Sequence, residues 1–203
     1  MVSQLKVNEI IKQSGSSITI GESGDTVTIP SGATFSVAGS NYVSGITNAE
    51  QHQLTSTVSI GSADTWTILT PFARSSGSGL GNIETYVSSS SGIFSFSQTG
   101  YYLIHLVGYH KRTNHLVQYT GTSIYMTTNN SSYTSLTETY TNLQDAVNAY
   151  GNTSSAAIVD ITDTSQCKVK FMGQASDASG VDFQAGSGLP VKNYATFIRI
   201  GDT

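Results

Sequence analysis

The densest cluster of chemistry-bearing side chains is "YHKRTNHL", which holds His110, Lys111, Arg112 and His115. Two histidines five apart fit neither the i, i+2 spacing that gathers metal ligands on a strand nor the i, i+4 spacing of a helix. No carboxylate stands nearby to complete a set, so a metal centre is not indicated. The cluster reads as a solvated loop or, functionally, as a receptor loop for anionic groups of a cell-surface polysaccharide. Asp160 pairs with Asp163 and Asp177 with Asp182. A glycosidase needs two carboxyls roughly 5–10 Å apart and a calcium site needs clustered oxygens. Neither spacing matches a recognised motif, and Asp in "VDITDTS" suits backbone bonding in a turn. Ser and Thr are too abundant to single out a nucleophile, and G-x-S-x-G is absent. The single cysteine, Cys167 in "SQCKVKF", reads as a small buried hydrophobe. No catalytic residue, cofactor or metal is assigned, and an enzyme is not expected.

Composition narrows the function classes. Charged residues make up 11% of 203, glycine numbers 20, and eleven tyrosines are present. Low charge with many Ser, Thr, Gly and Tyr suits an extracellular or particle-borne β protein. A net charge of -4 argues against nucleic-acid binding by phosphate neutralisation. The opening "MVSQLKVNEIIKQSG" has no long apolar run and no small-residue cleavage site, so neither a membrane span nor a signal peptide is expected.

The elements that must position these residues differ along the chain. "SSITIGESGDTVTIPSGATFSVAG", residues 16–39, repeats an apolar pair and a turn three times: Ile18 and Ile20, Val27 and Ile29, Phe35 and Val37. Such short strands cannot bury a core alone, which predicts a stalk of several chains wound together. Residues 1–15 carry Leu5, Val7, Ile10 and Ile11, readable as a virion anchor or as a frayed cap on the stalk. The stalk spans 16–45 and a neck 46–62, with Thr47 or Asn48 as a capping start. From Trp66 about eight strands follow, as in a sandwich or jelly roll over 63–203. "NLQDAVNAYGN", residues 142–152, is the one expected helix, with Leu143, Ala146, Val147 and Tyr150 at helical spacing. The strand "YYLIHLVGY" has almost no charge on either face, so one face should meet a second sheet and the other a second copy of the chain.

"GIFSFSQTGYYLIHLVGY", "SSAAIVDITDTSQCKVKF" and "YATFIRIGD" resemble the jelly-roll heads of complement and tumour-necrosis-factor-like proteins. The resemblance implies an all-β fold in which a short β-repeat stalk leads to a trimeric head with aromatic strands at the threefold axis. It places Tyr102, Ile104, Leu106, Val107 and Phe197 at the trimer interface. "SQLKVNEI" and "GDTVTIPSGATFSVAG" resemble the opening of fibre-like virion proteins from bacteriophages of marine bacteria. That resemblance implies a virion location and a homotrimeric tail or head fibre. The N-terminus would join other virion proteins and the head would meet a host-surface polysaccharide or protein. A capsid decoration protein and a polysaccharide depolymerase are the alternatives.

Overall fold

A computed structural model describes residues 20, 24–28, 31, 46–114, 116–186 and 189–203. The chain divides into Met1–Tyr42 and Val43–Thr203. The anchor residues Leu5, Val7, Ile10 and Ile11 lie outside the described residues, as does most of the repeat. Within it Ile20 and Val27 are exposed.

The second unit is all-β, and its strands form two antiparallel sheets. The first sheet is centred on β7 (Gly100–Arg112). One edge of β7 pairs along its length with β10 (Tyr150–Ile161), and the other pairs with β13 (Tyr194–Gly201) and then β12 (Val181–Phe183). Beyond β13 come β1 (Asn48–Leu54) and β4 (Phe72–Arg74), and β2 (Val58–Ser59) extends β12. The second sheet runs β5 (Val87–Ser90), β6 (Ile93–Phe96), β11 (Lys168–Ala175), β8 (Tyr119–Thr127), β9 (Thr134–Asn142), with β3 (Thr67–Ile68) on β11. The sheets face each other across a jelly-roll core rich in phenylalanine. Phe94, Phe171 and Phe197 are fully buried, with ring centroids 4.9–6.0 Å apart. Burying each such side chain contributes about 1.5–3 kcal/mol. Cys167 lies in this core, as its alternation predicts.

Two sequence readings are corrected here. The segment 46–62 is no neck: β1 is an interior strand between β13 and β4. Its polar Asn48, Glu50, His52 and Gln53 are all buried, which hides it from a search for apolar alternation. Nor is 142–152 a helix. Asn142 ends β9, Asn148 sits at φ 70°, and Tyr150 opens β10. The carbonyls a helix would use internally instead accept from the Arg112 guanidinium, at Leu143 (3.3 Å) and Gln144 (2.7 Å). Twelve paired residues of β7 then hold the following segment extended.

Candidate functional site

The histidine-arginine cluster does not form a solvated loop. His110 and Arg112 are the inward residues at the end of β7, 0% and 2% exposed. Neither ring nitrogen of His110 has a hydrogen-bond partner, and burial pushes its pKa down to about 4. Phe183 meets the ring edge-on at 5.2 Å. On the facing strand, a Cβ on Gly151 would lie 3.2 Å from His110 Nε2, so the imidazole sits directly against bare backbone. Arg112 also donates to the Asn114 carbonyl at 2.6 Å and pairs with Asp145 at 3.0 Å. It is the peg around which the 142–149 turn folds. Lys111 is half-buried, and His115 lies outside the described residues. Strand alternation thus draws His110 and Arg112, two of the four residues expected to meet a receptor, into the interior.

The residues expected at the trimer axis also separate by face. Tyr102, Ile104, Leu106 and Phe197 are closed into the chain's own core, at 1% exposure or less, and so offer nothing to another copy. Val107 points the other way, where β7 presents Tyr101, Leu103, His105, Val107 and Tyr109 on the open face of the seven-stranded sheet. Register sets Ala49, Ile198, Leu103 and Ile158 side by side in one apolar row across β1, β13, β7 and β10. Ile158 is 66% exposed and Ile200 50%. At the far end of β10 Tyr150 stacks on Tyr109, with centroids 5.4 Å apart and planes at 16°. In the middle His105 Nε2 meets Ser154 Oγ at 2.8 Å. Reading β7 alone missed Ile158 and Ile198. Their signal is in "AAIVDI" and "FIRI", where apolar residues fall on both parities of one strand.

The most elaborate polar group is Glu50 on β1, 2% exposed. Its Oε1 accepts from the backbone N–H of Tyr86 (2.8 Å) and Val87 (2.7 Å) and from Asn48 Nδ2 (3.1 Å). Its Oε2 accepts from Arg74 Nη2 at 3.0 Å and lies 3.2 Å from His52 Nε2. Burial opposes the charge, but the bonds from His52, Asn48, Arg74 and Val87 win and bring its pKa down to about 2. Glu50 thus ties β1 to β4 and to the start of the opposite sheet. With every lone pair engaged, it is poorly suited to proton transfer.

The aspartates remain dispersed. Asp163 accepts from the backbone and hydroxyl of Ser165, both at 2.7 Å, closing a turn as the sequence predicts. Asp182 accepts from Ser59 and Asp177 from Asn114. Among the described residues no three His, Cys, Asp or Glu converge on a cation position.

No family model matches the chain, and no curated protein matches it. Solved structures do. Murine APRIL at pH 8.5 superposes with a TM-score of 0.52 at 11% identity, covering 75% of this chain and 98% of that one. Eiger TNF from S. frugiperda gives 0.52 at 11%, covering 76% and 93%. The chain thus has the tumour-necrosis-factor-like jelly-roll fold.

Proposed function

We propose that the chain is a homotrimeric fibre or spike of a bacteriophage particle, whose jelly-roll head binds the host cell surface without enzymatic activity. The carrying observation is the apolar row Ala49–Ile198–Leu103–Ile158 on the open face of the seven-stranded sheet. A soluble single chain rarely leaves such a contiguous surface uncovered, and two further copies would cover it. Ile20 and Val27, exposed in one chain, support an intertwined stalk. The resemblance of "SQLKVNEI" and "GDTVTIPSGATFSVAG" to the opening of virion fibre proteins supports attachment to a particle through the N-terminus. Three heads on one stalk would make weak contacts multivalent, raising avidity about 10²–10⁴-fold over one site. Electron microscopy of particles from an infected lysate, labelled with an antibody raised against residues 46–203, tests this reading. Label on projecting fibres is expected, and label confined to unassembled protein would overturn it.

A further inference from the structure

The outer surface of the second sheet carries an aromatic platform. Trp66, just before β3, has its ring centroid 6.0 Å from Tyr140 and 6.3 Å from Tyr125. Tyr119 meets Tyr140 edge-on at 5.6 Å. These rings lie outside the phenylalanine core, and Tyr140 is 50% exposed. A run of tyrosines on an outer sheet often serves only cross-strand packing, but three features set this one apart.

The first is how the rings are held. Gly121 on β8 stands between Tyr140 on β9 and Gln174 on β11 in one register row. A Cβ at Gly121 would lie 2.6 Å from Tyr140 Cδ1, so the ring lies across the gap that the glycine leaves. Its hydroxyl then lies 3.2 Å from Gln174 Oε1 and from Glu138 Oε2, and it donates to one of them. The Tyr119 hydroxyl donates to Asp64. Both rings are fixed before any ligand arrives, which lowers the entropy lost on binding.

The second is shape: Tyr119, Tyr140 and Asn142 line an open depression of about 340 Å³. The third is the polar rim. Asp64 and Glu138 are exposed carboxylates next to the Tyr119 and Tyr140 hydroxyls, acceptors that complement a pyranose, whose C–H face is apolar and whose equatorial hydroxyls donate. The two carboxylates disfavour uronate or phosphate groups. Lys170 lies over the Tyr125 end of the platform, with Nζ 5.6 Å from the Tyr125 centroid and 4.3 Å from that of Tyr133, and is not among the residues lining the depression.

We infer that Trp66, Tyr119 and Tyr140 form a binding site for a neutral hexose polysaccharide, with the exposed carboxylates of Asp64 and Glu138 receiving its hydroxyls. This names the ligand class of the host-binding head and rests on that reading. It also moves recognition from the basic cluster of β7 to the opposite sheet and reverses the expected charge preference.

Trp66 is the chain's single tryptophan, so its fluorescence reports directly on the site. The test titrates the full-length protein with maltohexaose, cellohexaose and laminarihexaose to about 10 mM, the weak range expected of one site, with hexagalacturonate as the acidic comparison. The expected result is a saturable emission change with at least one neutral sugar and none with the acidic one. Tyr140→Ala should weaken the response about tenfold, the scale of one aromatic contact, whereas Tyr140→Phe should retain most of it. No response to any neutral sugar, equal response to hexagalacturonate, or an unchanged response in a folded Tyr140→Ala protein would each overturn the site. Oligomer mass, measured on the same samples, separates the two readings. A trimer without sugar response removes this site alone, and a sugar-binding monomer removes the trimeric fibre alone.

Discussion

The Tyr140 hydroxyl lies 3.2 Å from Gln174 Oε1 although strand β8 runs between their strands, because Gly121 places no side chain in the way. A polar contact two strands wide depends here on a missing methyl group. Gly121→Ala is therefore predicted to push the Tyr140 ring off the sheet. The new Cβ would stand 2.6 Å from the ring and 3.0 Å from the Thr139 carbonyl oxygen. A loss of about 1 kcal/mol, or about 2–4 °C in Tm for a domain of this size, is expected by calorimetry. The saccharide response of Trp66 should fall with it.

Acid stability should decline in two steps with different owners. His110 has its pKa lowered by burial to about 4, against an ordinary 6.5. Below pH 6.5 the unfolded chain binds a proton that the folded one refuses, so stability is full above about 6.5 and falls as pH drops toward 4. Glu50, held near 2 against an ordinary 4.5, contributes stability present above about 4.5 and lost as pH falls toward 2. Urea unfolding at a series of pH values checks both. His110→Leu should flatten the upper step and leave the lower one.

Glu50→Gln should be destabilising even at pH 7. It leaves Arg74 without its carboxylate and turns one accepting oxygen into an amide donor facing backbone N–H groups or a cation. Arg74 is partly exposed and keeps its bond to the Val87 carbonyl, so the loss comes from the mispaired buried N–H groups and is about 1–3 kcal/mol. Chemical denaturation should show it as a lower midpoint with an unchanged slope.

The two faces of β7 should respond oppositely to charge. Ile104→Asp places a carboxylate in the closed core and should abolish folding, seen as loss of the β signal in circular dichroism. Ile158→Asp, on the adjacent strand but open to solvent, should leave that signal intact and prevent association of copies. Equal folding of both variants would contradict the assignment of faces.

Much of the fold was legible because alternation and turn residues are local. "GIFSFSQTGYYLIHLVGY" gives β6, the turn and β7 directly. The polar strands were not legible. β1 buries Asn48, Glu50 and His52 only because Arg74 and the 86–87 backbone, distant in sequence, supply their partners. β9, "TSLTETYTN", is half-exposed throughout and carries little apolar signal. The false helix at 142–152 has helical spacing, but Arg112 supplies tertiary hydrogen bonds that no local pattern encodes. The site followed the same rule. Alternation showed that β7 has two apolar faces, but which one is closed depends on the opposite sheet, so four of five interface residues were placed on the wrong side. The aromatic platform escaped because Trp66, Tyr119, Tyr140 and Gln174 come from four separate elements, joined through one glycine.

A homotrimer would cover the apolar row on β1, β13, β7 and β10 with further copies of the same chain. The most direct test is the mass of the full-length protein in solution, by light scattering on a size-exclusion column at micromolar concentration. Three times the mass of one chain is expected, falling to that of one chain in Ile158→Asp. A wild-type protein that elutes folded, with the mass of a single chain, would contradict it.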